Sequence, residues 1–141
     1  MQDLHGSHHF SFWPTTFVLP KEYDLLQAAM IRNPLQYWIN KPSGLAQGKG
    51  IYITNNPKEI VKNSSAIVSH YIDNPLTIDQ LKFDLRIYVA LTSINPLRIY
   101  MYEEGLVRFA TEIYRSPSTT EPIGESKFVH LTNHSINKKN K

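Results

Sequence analysis

The sequence predicts an α+β fold in which an antiparallel sheet carries flanking helices, and three observations lead to it. Lys82-Phe83-Asp84-Leu85-Arg86-Ile87-Tyr88-Val89 alternates charged or polar with apolar residues, the period of a strand. Phe83 to Thr92, Leu97 to Tyr102 and Val107 to Thr111 are β-rich runs separated by Ser93-Ile94-Asn95-Pro96 and Glu103-Glu104-Gly105-Leu106, the order of an antiparallel meander. From Lys21 to Ile31, Leu25, Leu26, Ala29 and Met30 recur at helical spacing and define one apolar face.

The remaining elements follow along the chain. Residues 1 to 9 carry no structural signal and read as disordered, with order beginning near Phe10. Phe10, Phe12, Trp13 and Phe17 form an aromatic cluster around Pro14, and Leu19-Pro20 leads into the helix. Asn33-Pro34 ends it, and Tyr37-Trp38-Ile39 is a short buried strand followed by Asn40-Lys41-Pro42. Ser43 to Gly50 holds three glycines in eight residues and precedes the strand Ile51-Tyr52-Ile53. Asn56-Pro57 opens a short helix through Val61, and Ala66 to Ile72 is the next strand. Asn-Pro steps at 33, 56, 74 and 95 are irregularly spaced turns and no repeat. Arg115 to Ser126, rich in Ser, Thr, Pro and Glu, reads as a mobile surface loop.

Length and composition bound the class. At 141 residues with 41% hydrophobic content, the chain suits a single globular domain with a real core. Without cysteine there is neither a disulfide framework nor a thiolate zinc site. No apolar run reaches the roughly 18 residues of a spanning helix, and the first nine residues lack a signal peptide's pattern, so the expectation is a cytoplasmic protein with no membrane partner. Fifteen Lys and Arg against 12 acids leave a charge of +3, which favours an acidic partner only mildly. Stacking aromatics and clustered basic residues are not interleaved, so no nucleic-acid partner is expected.

On a strand, Lys82, Asp84 and Arg86 share one face, while Phe83, Leu85, Ile87 and Val89 form a core on the other. A solvated charge ladder and a polyphosphate site both fit this row. Tyr88 and Ala90 continue the charged face with less polar residues, which implies partial cover, and covered charges need partners or a ligand. The glycine loop at Gly44, Gly48, Lys49 and Gly50 lets backbone amides approach an anion, yet it matches neither the P-loop nor the dinucleotide pattern. Lys41 stands just ahead of it. Several cations converging on negative oxygens are what phosphoryl transfer needs, and an Asp among them either orients them or contacts a substrate amine. Arg108, flanked by apolar residues, either joins this site or snorkels at an edge, and Arg98 is left structural. His130-x3-His134 has two-ligand spacing but no third ligand, so no zinc site is expected.

These residues resemble the tubulin–tyrosine ligase-like family of ATP-grasp enzymes. Six ordered blocks carry the resemblance: Phe12-Trp13-Pro14-Thr15-Thr16-Phe17-Val18-Leu19-Pro20, Trp38-Ile39-Asn40-Lys41-Pro42, Gly48-Lys49-Gly50-Ile51, Lys82 to Val89, Tyr102 to Ala110, and His130-Leu131-Thr132-Asn133. Ile87-Tyr88-Val89, Asn95 to Tyr100 and Ser135-Ile136-Asn137-Lys138-Lys139 look most like the polyglutamylase branch. The resemblance implies an ATP-grasp-like fold, here incomplete, over residues 10 to 141, with ATP between two subdomains. It implies that ATP phosphorylates a glutamate side chain of a tubulin C-terminal tail and that free glutamate attacks the acyl phosphate. Location on the cytoskeleton follows, with the cilium or basal body as a narrower expectation.

Carried over by motif, Lys41 binds phosphate under the flap of Gly48, Lys49 and Gly50. Ser69, His70, Tyr71 and Ile72 hold adenine, and Lys82 contacts the nucleotide. Asp84, Arg86 and Arg108 lie near phosphates and the amino-acid or tail substrate, with His130, Leu131, Thr132 and Asn133 beside nucleotide and acceptor. His70 replaces a usual Arg or Lys, and Asn40 replaces an apolar residue. The family's Asp and Glu-x-Asn magnesium ligands have no match here, so the chain reads as the middle of a larger ligase and is expected to be inactive alone. Alternatives are a noncatalytic tubulin- or nucleotide-binding remnant and a glycine or tyrosine ligase of the same family.

Overall fold

A computed structural model describes residues 6–117 and 127–140. Two compact units emerge, residues 1–74 with 116–125, and residues 75–115 with 126–141. Residues 1–5 of the expected disordered start, and 118–126 of the expected surface loop, lie outside the described residues. Ser7–Phe10 form a 3-10 helix, so order begins ahead of Phe10.

The first unit is a four-stranded antiparallel sheet with one helix on it. Its elements are β1 (Thr16–Leu19), α1 (Tyr23–Arg32), β2 (Trp38–Pro42), β3 (Tyr52–Thr54) and β4 (Ala66–His70), in sheet order β1-β4-β2-β3. The Asn56-Pro57 step opens a 3-10 turn, Pro57–Glu59, whose Lys58 amide is capped by the Asn56 side chain at 3.1 Å. Leu26 and Met30 of α1 are fully buried against Leu19, Trp38, Ile60, Ala66 and Val68. Leu25 is 62% exposed, so the apolar stripe is narrower than the spacing predicts. The aromatic cluster also divides: Phe12 and Trp13 are exposed, while Phe17 packs on Trp38 with ring centroids 5.7 Å apart.

Strand pairing assigns the faces of this sheet. Trp38 pairs with His70 and Asn40 with Val68, on the side that meets α1, whereas Ile39 pairs with Ser69 and Lys41 with Ile67 on the other. Asn40 therefore does not share a face with Lys41. Its side chain is buried, and its Oδ1 has no hydrogen-bond partner, nor does the buried Trp38 Nε1.

In the second unit, β5 (Thr77–Ile78), β6 (Leu81–Arg86) and β9 (Leu106–Ile113) form one antiparallel sheet in that order. Strands β7 (Val89–Ile94) and β8 (Leu97–Met101) pair only with each other, and two short helices follow, α2 (Lys127–His130) and α3 (His134–Asn137). The β5–β6 turn places Asp79 and Gln80 at φ of 50° and 63°, the paired positive values that suit the twist of a two-residue hairpin.

This arrangement corrects the expected meander. The predicted strand Phe83 to Thr92 breaks at Ile87 and Tyr88, and β6 pairs across the inserted hairpin with β9. It also removes the core expected on the apolar face. Leu85, Ile87 and Val89 are 57%, 57% and 59% exposed, so the apolar side of the alternation holds no core among the described residues. Among the described residues, the buried ones of this unit are Ala110, Val129, His130, Leu131 and Asn137, the last four from the two short helices and their connection. Alternation assigns faces, whereas what covers each face depends on segments distant in sequence.

Gly105, at the entry to β9, admits no side chain. A Cβ there would stand 2.7 Å from the Arg86 carbonyl oxygen, a backbone atom that cannot swing aside. Gly105→Ala is expected to destabilise the second unit by about 1–3 kcal/mol, the usual cost of overpacking. Urea unfolding followed by amide resonances of β6 and β9 checks this.

Candidate functional site

The charged row of β6 meets β9 in a defined register, with Asp84 opposite Arg108 and Arg86 opposite Leu106. Arg108 donates two hydrogen bonds to the Asp84 carboxylate, Nε to Oδ1 at 2.9 Å and Nη2 to Oδ2 at 2.5 Å. The Thr132 hydroxyl hydrogen-bonds the same carboxylate. Arg86 lies farther away, its Nε 3.9 Å from Oδ2. Of the open alternatives for Asp84, orientation of cations is the one this geometry supports, because a bidentate guanidinium and a hydroxyl already occupy its oxygens.

Protonation follows from these partners. Burial pushes the Asp84 carboxyl upward, but hydrogen bonds from Arg108 and Thr132 and the charges of Arg108 and Arg86 outweigh it and hold the carboxyl below its ordinary value. The Asp84 hydrogen bond raises Arg108 in turn. The two arginines differ in access: the Arg86 side chain is 56% exposed and that of Arg108 25%. Arg86, only loosely paired with Asp84, is the more exposed, while Arg108 is held.

The predicted segment His130-Leu131-Thr132-Asn133 runs from the end of α2 to the start of α3, so His130 and His134 belong to separate helical turns. His130 and Leu131 are buried, and the His130 ring meets Tyr114 edge-on at 5.7 Å. Burial, reinforced by the charges of Lys82 and Arg115, pushes His130 down to about 4, so it is neutral at pH 7. Lys82 thus stands within electrostatic reach of His130.

In the first unit, Lys41 is exposed on β2. The loop after it folds into tight turns with Gly44, Gln47, Gly48 and Gly50 at φ of 77°, 63°, 77° and 68°, and Lys49 donates its amide to Ala46 O at 3.2 Å. Gly48 and Gly50 adopt a backbone that other residues resist. Ser69 is buried, its Oγ accepting from Thr16 Oγ1 at 3.0 Å. His70 stacks toward Trp38 at 5.8 Å, on the opposite side of the strand. Tyr71 is buried with Tyr37 and Ile53, and Ile72 is 56% exposed. The His70 and Tyr71 amides already donate to Thr15 O at 2.8 Å and Tyr37 O at 2.9 Å.

Sequence reasoning does not single out Asn137, His134 or Lys138 as site residues. With Arg108, Thr111 and Thr132 they line an open concavity of about 330 Å³ beside β9. Lys138 and His134 are a helical turn apart, a spacing that has meaning only once the short helix is known. Among the described residues, no group of three or more His, Cys, Asp or Glu is placed to hold a metal ion.

Residues 1–141 match the family model described as Tubulin-tyrosine ligase family. The chain is 47% identical over 141 residues to tubulin polyglutamylase TTLL5 of Mus musculus, covering 99% of this chain and 10% of that protein. It is 46% identical over 140 residues to tubulin monoglutamylase TTLL4 of Homo sapiens, covering 99% of this chain and 11% of that protein. Among solved structures it is similar to the C-terminal domain of K. lactis Pby1, an ATP-grasp enzyme, with TM-score 0.49 and 21% identity over 88% of this chain and 40% of the other. The chain spans about a tenth of the length of these two curated relatives.

Because His130 is neutral and buried when folded but titrates near 6.5 when unfolded, the unfolded chain binds more protons between those values. The His130 contribution to stability is fully present above pH 6.5 and is lost as pH falls toward 4. Urea unfolding of the second unit should weaken by on the order of 2–3 kcal/mol across that window. His130→Gln should flatten the dependence.

Proposed function

This chain belongs to the tubulin-tyrosine ligase family, and we propose that it is part of an ATP-dependent ligase adding glutamate to glutamate side chains of tubulin C-terminal tails. The observation that carries the reading is the division of labour between two arginines on one sheet face. Arg108 is locked by Asp84, on which Thr132 also acts, while Arg86 beside it stays exposed. A fixed positive field with one exposed guanidinium suits chemistry in which carboxylate and phosphate oxygens must come together.

ATP is the phosphoryl donor in this reading. The chemistry of the available groups fits it: in the first unit Lys41 and the turns at Gly48, Lys49 and Gly50 offer a cation and close-approach backbone of the kind a triphosphate requires, and in the second unit Lys82 is a cation of the same kind. Ser69, His70, Tyr71 and Ile72 contribute to the adenine site with side chains and carbonyls, since two of their amides already have partners. Magnesium is different. The described residues offer no cluster of ligating side chains, and Asp84 is held by Arg108 and Thr132, so no step is assigned to a metal here.

At the reacting end, Arg86 offsets the charge of the acceptor carboxylate as it takes the phosphoryl group, and Arg108 holds the field that Asp84 aligns. ADP is released in that step; the amine of free glutamate then attacks the acyl phosphate, the isopeptide C–N bond forms as the acyl C–O bond to phosphate breaks, and phosphate and the amine proton leave. His130, Leu131, Thr132 and Asn133 line the acceptor side, with Thr132 acting through Asp84. Relatives described as tubulin polyglutamylases and a tubulin monoglutamylase support tubulin as the partner and the cytoskeleton as the location; the C-terminal tails or microtubules as acceptor and the cilium or basal body as place are the narrower parts of this proposal.

The test is transfer of labelled glutamate to tubulin with ATP and magnesium, using full-length protein carrying Arg86→Ala. Transfer should fall by about 100-fold or more, the scale of losing one positioned charge at a reacting centre, while circular dichroism stays unchanged. Undiminished turnover would remove Arg86 from the mechanism.

A further inference from the structure

The side chain of Asn137 is buried at 6% exposure, and every hydrogen-bonding position of its carboxamide is occupied. Its Oδ1 accepts from the Thr111 amide at 3.0 Å and the Thr111 hydroxyl at 2.8 Å. Its Nδ2 donates to Leu131 O at 2.7 Å and Asn133 O at 3.1 Å. Those two carbonyls bracket Thr132, which lines one concavity with Arg108, Thr111 and Asn137 and whose side chain acts on Asp84.

Thr111 lies where strand register slips. Leu81 pairs with Ile113 but Phe83 with Phe109, so two residues of β6 advance against four of β9. An irregularity of this kind leaves amides without a ladder partner, and Asn137 supplies one for Thr111. Asn140 completes the junction, its Nδ2 donating to Thr111 Oγ1 at 2.9 Å and to Glu112 Oε1 at 3.3 Å.

We propose that Asn137 is a positioning residue: it ties the irregular turn of β9 to the backbone on both sides of Thr132, and so sets the hydroxyl that, with Arg108, aligns Asp84. Replacing it frees the Leu131–Asn133 backbone, and the Asp84–Thr132 hydrogen bond loosens although neither partner has changed. The catalytic meaning rests on the ligase reading above, whereas the geometry does not.

The test uses carboxyl carbon NMR of Asp84 across pH in the full 141-residue chain, a readout that needs no ligase activity. The groups acting on Asp84 are Arg108, Arg86 and Thr132. Thr132→Val should raise the Asp84 midpoint by about one pH unit, as loss of a hydrogen bond to the charged form does. Asn137→Ala should raise it in the same sense, and the double variant should shift it by less than the sum, because both act through one bond. Asn140→Ala, which leaves the bonds flanking Thr132 intact, should leave it unchanged. Should Asn137→Ala fail to fold, Thr111→Val, which removes one of the four bonds, should give a smaller shift of the same sign. The proposal is overturned if the folded Asn137 or Thr111 variants leave Asp84 unmoved, if Thr132→Val leaves it unmoved, or if Asn140→Ala shifts it as much. Absence of glutamate transfer by the full-length protein, with these shifts intact in the 141-residue chain, would count against the ligase reading alone.

Discussion

The second unit depends on a carboxylate that has been drawn partly out of water and must be compensated there. Asp84 meets that requirement through the two-pronged bond from Arg108 on the neighbouring strand and the Thr132 hydroxyl. Such a pair sets more than charge. A planar guanidinium matched to a carboxylate fixes both side chains and the register of the strands that bear them, because a one-residue slip would send each to the opposite face. The β7–β8 hairpin can therefore intervene between β6 and β9 without disturbing the alignment of their charged faces.

Around that pair the structure uses buried polar groups as connectors. Asn137 satisfies an amide that the β9 irregularity leaves unpaired and joins it to the segment carrying Thr132. His130 takes the complementary role as a neutral aromatic body against Tyr114, near enough to Lys82 and Arg115 that protonation would set like charges together in a dry place. A fully bonded amide and a neutral imidazole are two ways of holding a polar segment inside a fold. In the first unit, Asn40 is a contrasting case: its Oδ1 is buried without a partner on the side of the sheet that packs against α1.

Much of the candidate site was legible in the sequence because strand alternation is a local rule. Lys82, Asp84 and Arg86 occupy one face as their spacing requires, and Arg108 joins Asp84 across the sheet. The same rule separates Asn40 from Lys41 and His70 from Ser69. Whether the apolar face is covered was not legible. Periodicity marks Leu85 and Ile87 as inward, yet they are exposed and the charged face receives Thr132. The aromatic cluster is kept between Phe10 and Phe12, ring centroids 6.4 Å apart, but loses Phe17, which packs on Trp38.

By itself the sequence determined the α+β class, the positions of most strands, the turns at its Asn-Pro steps and the family to which the chain belongs, all of which depend on residue type and near-neighbour spacing. Only the tertiary structure decided that β6 skips the hairpin to pair with β9, that Asp84 is occupied by Arg108 and Thr132 while Arg86 remains exposed, and that Asn137 binds the carbonyls around Thr132. The bonds of Asp84 to Arg108 and of Asn137 to Thr111 join residues 24 and 26 positions apart in the chain. Periodicity is a property of one segment, whereas a hydrogen bond between distant segments exists only after both have been placed in space.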